Sequence, residues 1–395
     1  MNGEASSPKS SQAAESFLSP AKAGSQTRGP LEYPRLKPVG YGSYAGYADR
    51  GTLMHLFGLL PSDLASHLRA NGVDVRDAEA RRVIAHVMAG RREFPASRPV
   101  PRKVEDAVER LTIRTPLEIV ERATDPSDGF VKYLFRLHDG ALAEAVRIPL
   151  ESPGKFTVCI SSQAGCAMGC SFCATGRLGL IRNLEPWEIV AQWMAVRDEV
   201  PGVVTGALFQ GQGEPLHNYA AVMQAAAILA HPCGGRIAAK NITISTVGLV
   251  PQIIRFARER QPYRLIVSLT SAIDERRRSL LPSASAWPVR ELADAVRVYQ
   301  QSTGGRATIA WVVLGGINTG ADEVSALRAL FDGVPLRLNL IDVNDARPDG
   351  YRRASEDELS SFRDELRTLG IPIVRRYSGG AAKHAACGML AAMRS

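Results

Sequence analysis

Three cysteines crowd into eight residues: Cys166, Cys170 and Cys173 form C-x3-C-x2-C in the string CISSQAGCAMGCSFCATG. Thiolates at this spacing can hold three irons of a [4Fe–4S] cluster and leave the fourth open to an outside ligand. Gly165 and Gly169 let the loop wrap closely, and Phe172 offers an apolar cover. Zinc is the competing occupant, but a structural zinc site closes with four ligands, and no second close Cys or His pair follows. Six cysteines in 395 residues are too few for a disulfide scaffold, and their clustering points to metal in a reducing compartment.

The elements that must position this loop can be read from periodicity. After Pro149, strand-like and helix-like segments alternate: FTVCIS, a helix from Pro186, VVTGALF, a helix near AAVMQAAAILA, NITIS, LVPQIIRFARE, RLIVSLT, VRELADAVRVYQ, RATIAWVVL, VSALRALF, PLRLNLI and a last helix and strand ending at IPIVRR. This βα repetition implies an α/β fold with a parallel sheet, a complete or partial (β/α) barrel over residues 151–395 whose strand C-termini carry the chemistry. Residues 116–150 read as a β-hairpin extension, FVKYLFRL and ALAEAVRIPL joined at His138-Asp139-Gly140. Residues 31–115 read as a small helical domain suited to RNA recognition, with helical spacing in LMHLFGLL, DLASHLRANG and EARRVIAHVMAG and basic pairs at Arg81-Arg82 and Arg91-Arg92. The first 30 residues, with Phe17 as their single aromatic, are expected to be a disordered tail.

Composition narrows the address and the partner. There is no run of roughly 20 apolar residues of the kind a membrane helix needs, nor the apolar stretch of a secretory signal, so the cytoplasm is expected, with no membrane partner. A net charge of +8 and a pI near 9.3 favour a polyanion such as nucleic acid.

The triad, placed after the first barrel strand, resembles the radical S-adenosylmethionine (SAM) superfamily, in which the amino and carboxylate groups of SAM chelate the open iron. That resemblance implies SAM contacts at the strand ends: Gly213 and Glu214 in GQGEP, Ser245 in ITISTVG, Ser268 and Thr270 in IVSLT, and Asn344 in NLIDVND. Cys159 seven residues before the triad, the string SSQAGC…GCSFCATG, Arg182-Asn183-Leu184 and the terminal Ala385-Ala386-Cys387-Gly388 narrow it further. Together they resemble the RlmN/Cfr family of dual-specificity RNA methyltransferases, from about Glu144 to the C-terminus.

The resemblance implies a chemistry. The adenine carbons C2 and C8 are too electron-poor to attack a SAM methyl group, so Cys387 would first take a methyl from one SAM. A second SAM, cleaved reductively at the cluster, would give a radical that activates that methyl group for addition to the ring. Glu144 would then remove the ring proton, and Cys159 would resolve the adduct through a transient disulfide with Cys387. The implied product is C2-methyladenosine, ahead of C8, in large-subunit ribosomal RNA or tRNA, with two SAM per turnover and an electron donor such as flavodoxin or ferredoxin. Cys233 has no counterpart there.

Members of the family usually have His where Thr270 stands, Met at Gln212, and an acidic stretch where this chain reads Gly380-Ala381-Ala382-Lys383-His384. These departures surround the expected SAM pocket and methyl-carrying loop, and bear on the substrate more than on reaction type. Basic residues round the barrel mouth, Arg276-Arg277-Arg278 and Arg375-Arg376, are expected to meet RNA. The triad alone also suits a radical SAM enzyme acting on protein or peptide, and a non-catalytic RNA-binding protein with a structural metal.

Overall fold

The structure is a computed structural model that describes residues 53–91, 100–345, 347, 350–376, 379–381 and 384–390. The expected N-terminal tail, Arg92 and Lys383 lie outside the described residues. The helical part contains α1 (Pro61–Ala70), α2 (Asp77–Met88) and α3 (Arg102–Leu111), framed by two short strands, β1 (Met54–His55) and β2 (Thr112–Ile113), which pair in parallel. Leu64, Ala65 and Leu68 of α1 meet Ala80, Val83, Ile84 and Val87 of α2 in one core, the i, i+3, i+4 spacing of amphipathic helices. Of these helices, α1 and α2 are each started by a carboxylate reaching back one turn, Asp63 to the Leu60 amide and Glu79 to the Arg76 amide, both at 2.9 Å. The stretch LMHLFGLL, expected to be helical, forms β1 and a single 3-10 turn instead. Gly58 lies against Trp187 and Pro61 opens α1, so a longer helix has nowhere to run. This part is also not set apart from the sheet: the His55 ring stacks on Trp187 at 4.0 Å, and Gln224 donates to Asp63 at 2.8 Å.

The sheet has ten strands. Its antiparallel edge is β3 (Glu118–Thr124), β4 (Val131–Arg136) and β5 (Leu142–Pro149), so the expected hairpin, β4–β5, is the inner part of a three-stranded meander. The meander continues into the parallel strands β6 (Lys155–Ile160), β9 (Val203–Phe209), β10 (Ile242–Thr246), β11 (Arg264–Ser268), β12 (Ala307–Val313), β13 (Leu336–Asp342) and β14 (Ile373–Arg376). Between β6 and β9 a small side ladder pairs β7 (Gln163–Gly165) with β8 (Leu180–Asn183), and α4 (Ala174–Leu178) lies between them. The crossover helices are α5 (Pro186–Glu199), α6 (Tyr219–Ala230), α7 (Val250–Arg258), α9 (Val289–Thr303), α10 (Ala321–Phe331) and α11 (Glu356–Arg367), with a short α8 (Asp274–Leu280) after β11.

Parallel neighbours follow chain order without reversal, which is barrel winding rather than a doubly wound sheet. The ends of the order, β14 and β3, are not paired with each other. The barrel is therefore partial and is extended along one edge by the meander. The turn at 150–154, closed by Leu150 donating to the Lys155 carbonyl at 2.9 Å, absorbs the length between Glu144 and Cys159 and leaves Val146 directly opposite Cys159.

Gly165 closes the cluster loop. Its φ is +74°, and a Cβ there would lie 2.0 Å from the Gly179 carbonyl oxygen that accepts the Cys166 amide. Gly165→Ala is expected to cost about 3 kcal/mol, against about 1 kcal/mol for Gly154→Ala, whose Cβ would meet open space at similar φ. Urea unfolding of the two apoproteins measures the difference, and equal midpoints would contradict it.

Candidate active site

The loop from Cys166 to Cys173 follows β6 and β7 directly and ends where Cys173 enters α4. All three cysteines line a cavity of about 130 Å³ at the C-terminal ends of the parallel strands. Gly213, Glu214, Ser245, Ser268 and Asn344 line the same cavity, so five of the six expected SAM contacts surround it together with the triad. Among the described residues no three ligand side chains converge tightly enough for a single metal ion. Burial pushes the thiol of Cys166 up to about 12 and that of Cys170 well above its ordinary range. Thiolates in such a place need a cationic group to take their charge, which fits an iron–sulfur cluster.

The sixth expected contact is placed differently. Thr270 is fully buried, has φ of +61°, and does not line the cavity; it stands behind Ser268, with the two hydroxyl oxygens 3.4 Å apart, and its carbonyl accepts from Asn318 at 2.7 Å. Glu214 reaches the cavity wall, yet its carboxylate already accepts from the Leu216 and Val247 amides at 2.9 and 2.8 Å. Burial raises its pKa to about 7 against those hydrogen bonds, so the ammonium of SAM would meet a group poised to accept positive charge. Gly213, with φ of +99°, must be glycine because a Cβ would come 2.6 Å from that of Gln163.

A second cavity of about 110 Å³ adjoins the first and shares Cys173, Gln210 and Cys387 as a common wall. Its far side holds Cys159, Val146 and Phe130. Cys387 is held there by its neighbours in the chain: Ala174 donates to the Gly388 carbonyl at 2.7 Å, Thr175 to that of Leu390 at 2.5 Å, and Asn344 to that of Cys387 at 3.3 Å. The Gln210 amide donates to Cys387 Sγ at 3.1 Å. Cys159 and Cys387 are both free thiols in the structure. Burial pushes both above the ordinary thiol range, and the Arg376 guanidinium pulls both the other way.

Glu144 sits on β5 two residues from Val146, on the inward face, with none of its surface exposed. Its carboxylate lies 3.0 Å from Lys132 Nζ on β4 and accepts from Gln212 Nε2 at 3.3 Å. Gln212 therefore contacts Glu144, not the SAM cavity as its position in GQGEP suggested. Lys132 and Gln210 were not singled out in the sequence; the one available signal was Lys132 interrupting the apolar alternation of FVKYLFRL.

The basic run after β11 also differs from expectation. Arg276 pairs with Asp322 and Glu323 at 2.8 and 2.5 Å, and Arg277 is buried and donates to the carbonyls of Leu269 and Val247. Arg278 stands 4.0 Å from Asp274. Arg276 and Arg277 tie α8 to neighbouring segments, and a guanidinium committed in this way is not available to phosphate, whereas Arg278 stays half-exposed on α8. Arg375 is likewise paired, with Asp342 and Glu356, whereas Arg376 has no ion-pair partner among the described residues. Cys233 lies away from both cavities, half-buried after α6.

A triad of cysteines at the mouth of a partial barrel, facing strand-end polar groups, defines a radical SAM enzyme, and a model of the Radical SAM superfamily matches residues 160–323. A crystal structure of a radical SAM methyltransferase from Sphaerobacter thermophilus is 36% identical with a TM-score of 0.77, covering 86% of this chain and 100% of that one. The protein named Probable RNA methyltransferase of Anaeromyxobacter sp. (strain Fw109-5) is 49% identical over 86% of this chain and 98% of its own length. The same organism's Dual-specificity RNA methyltransferase RlmN is 37% identical over 74% of this chain and 79% of its own. The chain belongs to the RlmN/Cfr family of radical SAM RNA methyltransferases.

The Lys132–Glu144 pair makes a stability prediction. Lys132→Met leaves a carboxylate buried without its partner and is expected to cost about 3–5 kcal/mol, most of it recovered in Lys132→Met/Glu144→Gln. Urea unfolding of the single and double variants measures the coupling, and additive losses would contradict the pairing.

Proposed function

We propose that the chain methylates an sp2 carbon of an adenosine in RNA, C2 ahead of C8, with Cys387 as the methyl carrier. The observation that carries this reading is the shared wall: Cys387 borders both the cluster cavity and the cavity that holds Cys159. A peptide-modifying radical enzyme needs the triad but has no use for two further thiols there. Cluster and SAM would supply a methyl group and, separately, a radical able to abstract hydrogen from it, with the electron coming from a flavodoxin or ferredoxin.

Each remaining task falls to a residue of the chain. Arg376 favours the Cys387 thiolate, the form that accepts a methyl group, against the cost of burial. Gln210 and Asn344 hold that sulfur and its carbonyl at the wall between the cavities. Once the methyl carbon is joined to the adenine ring, the unpaired electron of the adduct would return to the one-electron carrier that started the reaction, and Glu144, fixed by Lys132 and Gln212, takes the ring proton. The Cys159 thiolate then bonds to the Cys387 sulfur as the carbon–sulfur bond breaks, and the released carbon takes up a proton to become the methyl group. A cellular thiol returns the disulfide to the free pair.

Large-subunit ribosomal RNA and tRNA are the proposed substrate classes. Anaeromyxobacter holds a 37% relative named RlmN beside the 49% relative, and this chain sides with the latter. That favours a target adenosine other than the one its RlmN-named relative modifies.

Mass spectrometry of RNA nucleosides from a deletion strain tests the reading. A 2- or 8-methyladenosine signal is expected to vanish on deletion and return with wild type but not with Cys387→Ala. Cys159→Ala is expected to accumulate a denaturant-resistant protein–RNA adduct, since the resolving thiol is gone. Unchanged nucleosides in every strain would sink RNA methylation.

A further inference from the structure

The N-terminal end of the barrel is built unlike a packed barrel core. In a closed barrel the inward positions are filled by layers of branched apolar side chains. Here the lowest inward positions are polar: Thr157 on β6, Thr205 on β9, Thr243 on β10, Thr308 on β12, with Arg264 on β11 and Arg337 on β13. They enclose an open cavity of about 650 Å³, several times larger than either cavity at the cluster end.

Four arginines face this space, Arg264, Arg306, Arg337 and Arg376, and among the described residues no carboxylate lines it. Among the described residues none of the four is ion-paired, whereas Arg276, Arg347, Arg352 and Arg375 each are. Converging guanidiniums without counter-charges repel one another and persist where an anion is to be bound.

The cavity also leads somewhere. Leu208 and Arg376 line both it and the cavity holding Cys159 and Cys387. Above the threonine and arginine layer lie two apolar groups, Leu208 with Val146 and Cys159, and Ile266 with Ala310 and Ile341, and Cys387 packs against the second. A base that passed Leu208 and Arg376 from below would meet the two cysteines while its phosphates stayed among the arginines.

We propose that the RNA strand enters through the N-terminal end of the barrel, opposite the cluster loop, with Arg264, Arg306 and Arg337 binding the phosphates that flank the target adenosine. Arg376 marks the passage from phosphates to base. This rests on the reading of the chain as an RNA adenosine methyltransferase and adds the route and phosphate-binding residues. A base drawn this deep must leave its stack, so a single-stranded or loop adenosine is the expected form.

The experiment uses anaerobically reconstituted holoenzyme and a fluorescein-labelled single-stranded RNA 20-mer containing one adenosine, with binding read by anisotropy across a salt series. Each of Arg264→Ala, Arg306→Ala and Arg337→Ala is expected to weaken binding about 3- to 10-fold and to lower the slope of log affinity against log salt by roughly 0.7, with about 2 for the triple variant. Arg278→Ala at the opposite end is expected to change neither. The triple arginine-to-lysine variant, which keeps the charges, is expected to restore the slope and confirms that loss in the alanine series is not misfolding. Cleavage of SAM to 5′-deoxyadenosine by the variants is expected to stay at the wild-type level.

Wild-type affinity and slope in the triple alanine variant would overturn the proposal. So would micromolar ATP binding lost in these variants while RNA binding stays intact, which would mark a small-anion site. Arginine-dependent RNA binding without any methylated nucleoside in cells would support the entry route and refute the methylation reading alone.

Discussion

The site depends on one buried hydrogen-bond clamp between the segments that follow β6 and β9. Ser161 Oγ donates to the Glu144 carbonyl at 2.5 Å and accepts from the Gln212 amide at 2.9 Å, and the Ser162 amide donates to the Gln212 carbonyl at 2.9 Å. Gln163 completes it, accepting from the Glu214 amide at 2.8 Å and donating to Asn183 at 2.7 Å. Buried polar groups of this kind must all be satisfied or the segment is destabilised, so the clamp admits few alternatives. It sets three things together: where the cysteine loop starts, where the turn from Gly211 to Glu214 lies, and where Glu144 is held. The string SSQ before the first triad cysteine is thus a structural device, and its role is visible only when both strands are in place.

What could be read from the sequence follows the range of the interaction that encodes it. Seven parallel strands were legible because each is a short apolar run bounded by Gly, Pro or polar residues, and the triad because its ligands are adjacent in the chain. Cys387 and Cys159, more than two hundred residues apart, came from resemblance, since no local pattern marks a lone cysteine. The Lys132–Glu144 pair was missed because it forms across the antiparallel pairing of β4 with β5, which the spacing of neither segment reveals. Arg276 and Arg277 misled for the opposite reason: a run of arginines looks solvated until Glu323 and the carbonyls of Leu269 and Val247 are brought to it.

The departures at Gln212 and Thr270 illustrate how a fold redistributes roles. Gln212 lies between two glycines in the bend after β9, yet its side chain turns to the meander, where its amide serves Glu144. Thr270 adopts a left-handed backbone and spends its carbonyl on Asn318, which in turn orders the end of β12 by donating to the Val312 carbonyl. A substitution at either position therefore acts on the machinery at one remove.

The open barrel explains how two demanding environments coexist. Its C-terminal end holds buried thiols and a buried glutamate, a place where burial raises pKa values and charge must be matched by a bound cation. Its N-terminal end holds unpaired arginines in a wide polar cavity, where charge must be matched by a bound anion. Between the two ends stand the apolar side chains of Leu208, Ile266 and Ile341. Arg376 lines both the lower cavity and the cavity that holds Cys159 and Cys387, so its charge acts on both spaces, and what binds in one alters the field in the other.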